Sequence, residues 1–210
     1  MASSSTPASR RRLRTARGYT LIEIMIVVGL IGVVSAIAAP MMANALGYLR
    51  LSGDARNTSN AIALTKMRAA SVFGRVRLYV DLSGKSFHVE TFDHTTAICC
   101  WNVDVSGGTT YLSQNVTFGY GVVGTPPPNT QAAIGQPAVC KSNTNTDVGN
   151  TACVIFNSRG VPVDATGSPG VVTALYVTDG TAVYGLAVSA TGMVRTWKTL
   201  PLATPSWSLQ

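Results

Sequence analysis

Charged residues are scarce in this sequence. Only 12% of its 210 residues are Asp, Glu, Lys or Arg, whereas about a quarter is usual in a soluble domain. The deficit is uneven, because no charged residue occurs from Ile24 to Leu49. The length suits one ordinary domain with an anchoring segment and is too short for two full domains. We therefore expect one globular domain and one segment that avoids water.

Acidic residues are missing from the first 18 positions, which hold five arginines instead: Arg10, Arg11, Arg12, Arg14 and Arg17. These arginines supply most of the formal net charge of +7. The high net charge thus belongs to a short terminal segment. It does not indicate that the body of the protein binds nucleic acid.

Chemical motifs are also missing. The sequence has two histidines, His88 and His94, and lacks the spaced cysteine pairs of a zinc site. It has no GxSxG, HExxH, Walker or GxGxxG motif. Asp81, Glu90 and Asp93 are expected to solvate a hairpin. We expect no enzyme activity, no metal site and no cofactor.

All four cysteines lie in the C-terminal half: Cys99, Cys100, Cys140 and Cys153. These cysteines follow an apolar segment long enough to span a membrane. Four cysteines in that position favour an exported domain with two disulfides. Chain distance favours a bond between Cys140 and Cys153. The adjacent Cys99 and Cys100 point to opposite faces of an extended chain, so either they bond each other or the four cysteines pair in a crossed arrangement.

A long apolar run follows the arginines. Residues 19–39 number 21, about the 20 that an α-helix needs to cross a bilayer, and we assign 19–40 to a transmembrane helix. Arginines before the run and none directly after it predict a cytoplasmic N-terminus. The rest of the chain would then lie outside the cytoplasm, in agreement with the cysteines.

Glu23 interrupts this run near its start. A carboxylate at membrane depth costs a few kcal/mol and usually has a partner and a role. Cleavage between Gly18 and Tyr19 would create an α-amine one helical turn from Glu23. Two alternatives leave Glu23 unexplained: a secretory signal peptide cut at Ala36-Ile37-Ala38, and an uncleaved anchor.

The string from Gly18 to Glu23, Gly-Tyr-Thr-Leu-Ile-Glu, resembles the prepilin cleavage and methylation site of type IV pilins and type II secretion pseudopilins. The resemblance implies that residues 1–18 are a leader removed at the Gly18–Tyr19 bond, and that Tyr19 is then N-methylated. It implies that the apolar helix is kept as the filament core, that Glu23 acts in assembly, and that Pro40 disrupts the helix. Tyr at the first mature position is a mild departure from the more usual Phe.

The same resemblance implies the partners and the location. The partners would be other pilin or pseudopilin subunits, the prepilin peptidase, an inner-membrane assembly platform and, before assembly, the lipid bilayer. The chain would cross the bacterial inner membrane once, with a periplasmic head, and then enter a pilus or pseudopilus.

The rest of the chain predicts an α+β fold: a long N-terminal helix, transmembrane in its first half, packed on an antiparallel β-sheet head. Helical spacing continues over 41–74 and should end near Gly74. Residues 75–210 form the head, beginning with a hairpin over 75–80 and 86–92. Residues 93–150 are expected to be irregular, with a strand or two near 111–120. Strands follow at 152–157, 171–178, 181–189 and 193–198, with a two-residue turn at Asp179-Gly180.

A second, narrower resemblance covers the C-terminal strands. Residues 155–160 and 188–195, with the helical run from Asn60, look like the GspH/FimT type of minor pseudopilin. Some pilins of that type bind DNA through a Gly-Arg-x-Arg element, for which Arg195 and Lys198 are the candidates here. Met193 replaces the first arginine. We favour a solvated edge strand and keep DNA or a secreted substrate as the alternative partner.

Overall fold

The computed structural model describes residues 18–93, 100–105 and 107–210, except for the side chains of residues 40, 43 and 44. Most of the proposed leader, as well as His94 and Cys99, therefore lies outside the described residues. The chain divides into two compact units, one up to Asn44 and one from Ala45 to Gln210. One helix, α1 (Leu21–Ser71, 51 residues), begins in the first unit and ends in the second.

The first unit consists of the beginning of α1. Its residues Leu21–Ala39 have a mean hydropathy of 2.6 and are long and apolar enough to cross a membrane. All 19 of these side chains are exposed. Exposed apolar surface of this extent needs a lipid or protein neighbour.

The C-terminal end of α1 is closed by a Schellman motif. The Gly74 N–H donates to Ala69 O at 3.2 Å and the Phe73 N–H donates to Ala70 O at 3.4 Å. Phe73 adopts the left-handed conformation, with φ of 50°, that glycine more often takes at this position. The helix therefore ends at Ser71, three residues before Gly74. Phe73, and not Gly74, is the residue in the left-handed conformation that ends it.

The described residues of the second unit form thirteen strands, all paired antiparallel within three sheets. Sheet A has the order β3-β2-β1-β8-β9, with β4 also pairing with β2: β1 (Val76–Asp81), β2 (Ser86–Phe92), β3 (Trp101–Val103), β4 (Thr110–Tyr111), β8 (Thr151–Phe156) and β9 (Pro162–Val163). Sheet B has the order β13-β12-β11-β10-β5: β5 (Thr117–Phe118), β10 (Thr173–Thr178), β11 (Val183–Val188), β12 (Val194–Thr199) and β13 (Ser208–Leu209). A small ribbon pairs β6 (Cys140–Lys141) with β7 (Asp147–Val148).

The main core lies where the second half of α1 meets the inner faces of both sheets. It combines helix residues such as Leu51 and Ile62 with Leu78 and Phe156 of sheet A and Leu186 of sheet B. The α+β prediction of a helix packed on an antiparallel head is confirmed, with two large sheets in place of one. Thr58 and Thr65 are buried on the same helix but donate to the carbonyls of residues 54 and 61, so their hydroxyls are satisfied.

Residues 93–150 are more ordered than the sequence indicated. The described part of this segment contains β3 to β7 and covers the outer faces of both sheets. Over sheet B, Val123 and Tyr120 pack on Tyr176. Over sheet A, Cys140 and Trp101 pack on Ile155. The composition, rich in Gly, Asn and Pro, concealed these layers because only scattered apolar residues make them.

The loop between β10 and β11 is longer than predicted. Thr178 pairs with Val183, so four residues, 179–182, connect the strands. The two-residue turn predicted at Asp179-Gly180 is therefore wrong. Asp179 instead accepts hydrogen bonds from the N–H groups of Thr181 and Ala182, a local arrangement that a longer Asp-containing loop favours.

The edge of β10 is protected by a side chain. The strand pairs with β5 only at Val177 and Thr178. Next along this edge, the Gln136 amide group donates to Tyr176 O at 3.0 Å and accepts from the Tyr176 N–H at 2.9 Å. Gln136 therefore takes the place of one residue of a neighbouring strand and leaves no open edge at this position.

We expect Gln136→Ala to destabilise the head by about 1–3 kcal/mol, because Tyr176 is fully buried and its N–H would lose its partner. The measurement is chemical denaturation of the full chain in detergent. Gln114 is exposed, and Gln114→Ala is the control, expected to change stability by less than about 0.5 kcal/mol. Equal effects of the two substitutions would show that the Gln136 pairing contributes nothing.

Candidate processing and assembly segment, and candidate sites on the head

The start of α1 has the sequence signature and the N-cap hydrogen bond of a capping box. Thr20 precedes the first helical residue, and the Glu23 N–H donates to Thr20 Oγ1 at 3.3 Å. The spacing Thr20-x-x-Glu23 is the sequence signature of this motif, in which a glutamate at the third helical position also faces the helix N-terminus. Its negative charge complements the positive end of the helix dipole there. The same residues thus start the helix and carry the proposed processing site.

Glu23 is exposed on the single chain. Its described surroundings are the apolar side chains of α1, including Ile24 and Val27, and none of the described ion pairs includes it. Gly18 and Tyr19 precede the helix and are also exposed. The bond between them is therefore accessible in this structure, and the carboxylate lies close to it along the chain.

Pro40 does not interrupt the helix. The resemblance implied a disruption at this residue, but α1 continues from Leu21 through Pro40 to Ser71. The expectation that Pro40 breaks the helix is therefore wrong. A proline removes one backbone hydrogen bond, and a helix of 51 residues retains many others on both sides.

Cys140 and Cys153 form a disulfide with a Cα–Cα distance of 5.1 Å. This is the pair that chain distance favoured. The bond links the β6–β7 ribbon to β8 on the outer face of sheet A. Cys100, the residue directly before β3, is also disulfide-bonded.

Removal of the Cys140–Cys153 bond by the double substitution Cys140→Ala and Cys153→Ala should lower stability by about 3 kcal/mol, the loop-closure value for a loop of this size. Denaturation under non-reducing conditions measures the loss, and peptide mapping tests the pairing. Wild-type protein in reducing agent is the matched comparison. Four free thiols in the exported protein would contradict the disulfide assignment.

Lys198, one of the two candidate DNA-binding cations, faces the inside of the head. Its ammonium group lies 4.4 Å from the ring centre of Tyr48 on α1 and 5.7 Å from that of Tyr184 on β11. A hydrogen bond with Tyr184 and the nearby Lys198 charge lower the pKa of Tyr48. Lys198 is therefore half-buried against these two rings on the α1 side of sheet B, and its role as a phosphate contact stays a prediction.

Arg195 faces the opposite side of sheet B. It is exposed and lies two residues before Trp197, whose side chain packs on the outer face. Because side chains alternate along a strand, Arg195 and Lys198 cannot form one basic patch. Arg195 instead lines a groove together with Met193, the residue that replaces the first arginine of the Gly-Arg-x-Arg element.

A buried ion pair on sheet A was missed by the sequence analysis. Arg77 and Glu90 are opposite each other on β1 and β2 and are 4% and 7% exposed. Arg77 also donates to Lys141 O at 2.7 Å and stacks on Trp101, 4.2 Å from its ring centre. Burial lowers the pKa of the Arg77 guanidinium, although Glu90 opposes this effect. Glu90 therefore does not solvate the hairpin as expected but holds its outer face together.

The two glycine-containing turns that resemble the GspH/FimT type meet at one point. A Cβ added to Gly192 would lie only 2.2 Å from Gly160 O, and one added to Gly160 would lie 2.8 Å from Lys66 Cε. Lys66 of α1 donates to Gly192 O at 2.9 Å. The helix, sheet A and sheet B are therefore joined where both glycines have positive φ, 71° and 77°.

No metal-ligating group of three or more His, Cys, Asp or Glu side chains occurs within residues 18–93, 100–105 and 107–210. The features that point to function are the N-terminal segment and, on the head, the groove beside Arg195.

The family model for the prokaryotic N-terminal methylation motif matches residues 13–39. The match covers the segment around the Gly18–Tyr19 bond and the beginning of α1, and it does not extend to the head. The matched residues include the run Leu21–Ala39, which is long and apolar enough to cross a membrane.

A solved structure, the minor pseudopilin EpsH from the Type 2 Secretion System of Vibrio cholerae, is similar to this chain at 11% identity. The match covers 77% of this chain and 96% of that one, with a TM-score of 0.35. At this level of similarity it adds no argument about function. The comparison with curated proteins gave no match.

Proposed function

We propose that this chain is made as a precursor and becomes a minor pilin or pseudopilin of a type IV pilus or type II secretion pseudopilus. Prepilin peptidase cleaves the Gly18–Tyr19 bond and methylates Tyr19. The mature helix holds the subunit in the bilayer and then enters the filament core. Glu23 makes the contact that selects the correct position of each new subunit.

One observation carries this proposal: a carboxylate stands in an otherwise apolar, membrane-length helix, four residues after Tyr19 and within the segment that the methylation-motif model matches. An anchor alone needs no charge there, and an unpaired charge among apolar helices is strongly unfavourable. The α-amine that cleavage creates at Tyr19 provides the opposite charge at nearly the same depth. An adjacent subunit in correct axial register would supply that amine to Glu23.

The proposal includes location and partners. The arginines before the helix favour a cytoplasmic leader, so the head, with its disulfides, belongs in the periplasm. The subunit would meet the prepilin peptidase and the assembly platform in the inner membrane. The two glycine turns and the α1 contact between them favour the GspH/FimT type of minor subunit, on the resemblance of residues 155–160 and 188–195.

The test is the mass of the chain recovered from membranes, with and without active prepilin peptidase in the producing cells. Active peptidase should remove residues 1–18 and add one methyl group. A mature N-terminus at Ala39, the signal-peptide alternative, would overturn the proposal.

The alternative is a head that binds DNA or a secreted substrate from the filament. Arg195 is the exposed cation that favours this reading. Binding of DNA would weaken steeply with salt in proportion to the number of phosphates contacted. With Lys198 turned inward, we expect few such contacts and do not favour DNA.

A further inference from the structure

A groove on the outer face of sheet B has the composition of a binding site for a single carboxylate with an apolar attachment. Its volume is about 220 Å³, and it lies between the β11–β12 turn and the loop around Asn129. Ala187, a small residue, lies opposite Arg195 on the neighbouring strand β11 and also lines the groove. Its walls are largely apolar: Pro128, Val172, Met193 and Trp197.

The charge of the groove is positive and uncompensated. Arg195 is its one ionised lining residue, and no Asp or Glu lines it. None of the ion pairs in the described part of the chain involves Arg195. A guanidinium presents a planar fork of donors that matches a carboxylate with two parallel hydrogen bonds.

Trp197 adds a second unsatisfied donor. Its indole N–H is buried and has no hydrogen-bond partner in the described structure. A buried donor without a partner costs about 1–3 kcal/mol, so an orphaned donor calls for an explanation. Trp197 lies two residues from Arg195 on the same face of β12, and both residues line the groove.

Three of the other polar lining residues, Thr130, Ser189 and Thr191, are committed within the fold. Thr130 Oγ1 donates to Pro127 O at 2.5 Å. Ser189 Oγ accepts from the Met193 N–H at 3.1 Å and lies 3.0 Å from Thr191 Oγ1. The recognition chemistry that this groove offers is therefore the Arg195 cation, the Asn129 amide and the apolar walls.

We propose that this groove binds the C-terminal carboxylate of a polypeptide that ends in an apolar residue. The carboxylate would pair with Arg195, and the last side chain would lie against Met193 and Pro128. DNA fits less well, because phosphate-backbone binding uses several cations and single strands need exposed aromatic platforms. The proposal does not depend on filament assembly, so either can fail without the other.

The test uses the full chain in detergent and a fluorescent six-residue peptide that ends in leucine. Fluorescence anisotropy should show binding of the free acid and at least about ten-fold weaker binding of the C-terminal amide, since a charge-assisted pair contributes at least about 1.4 kcal/mol. Arg195→Gln should cause a similar loss, and Arg195→Lys a smaller one. The indole resonance of Trp197 should shift only with the acid.

Arg159→Gln is the matched control, because Arg159 is also an exposed arginine and lies outside the groove lining. It should bind as wild type, and unchanged unfolding midpoints verify that both variants are folded. Equal binding of acid and amide, no binding at millimolar peptide, or equal effects of the two glutamine variants would overturn the proposal. So would a DNA oligonucleotide that binds through Arg195 more tightly than the peptide.

Discussion

Glu23→Ala should leave the protein in the membrane and remove it from the filament. The substitution eliminates a costly group from the apolar helix, so insertion should be unchanged or improved. Cleavage after Gly18 precedes assembly and should persist. Incorporation should fall by at least about ten-fold, because the Tyr19 amine of the adjacent subunit would be buried without a partner.

Glu23→Gln separates the two roles that the structure allows for this residue. Glutamine also serves at the third position of a capping box but carries no charge. If Glu23 only caps α1 through Thr20, the Gln variant should assemble normally. If Glu23 neutralises the amine, the Gln variant should fail as the Ala variant does. The comparison requires membrane and filament fractions of all three proteins, and normal incorporation of the Ala variant would show that Glu23 is not the assembly contact.

Gly192→Ala should be the most damaging single substitution in the head. The added methyl would lie 2.2 Å from the backbone oxygen of Gly160, and φ of 77° already disfavours any side chain. One of the two turns must move, which also breaks the hydrogen bond from Lys66. We expect a loss of more than about 3 kcal/mol or failure to fold, in the range that marks backbone strain with overpacking.

Gly180→Ala is the matched control for this effect. Its φ of 85° is similar, but a Cβ there meets nothing within 4 Å. It should cost only the conformational penalty, about 1–2 kcal/mol. Denaturation midpoints of the oxidised full chain compare the two variants. Equal losses would mean that the contact between the turns does not constrain the fold.

The elements with strong local signals could be predicted from the sequence. The apolar run predicted α1, and alternating residues predicted the β1–β2 hairpin, because these signals arise from neighbours in the chain. The motif at Gly18 to Glu23 located the candidate processing site for the same reason. The end of α1 was placed at Gly74 because glycine is the usual residue there, whereas Phe73 occupies the left-handed position.

The features that depend on distant residues could not be predicted. Gln136 covers an edge 40 positions away in the chain, and no local pattern marks it. Arg195 and Lys198 were grouped by their charge, but the pleat of β12 sends them to opposite faces. The Arg77–Glu90 pair had a usable signal, since the two residues are symmetric about the predicted hairpin turn.

The mass of the mature chain tests the central claim most directly. Protein recovered from the membranes of cells with active prepilin peptidase should begin at Tyr19 and carry one additional methyl group. Cells with inactive peptidase should yield the chain with residues 1–18 still attached. A chain that keeps the leader in both strains, or that begins at Ala39, would contradict the assignment of Gly18–Tyr19 as the processing site.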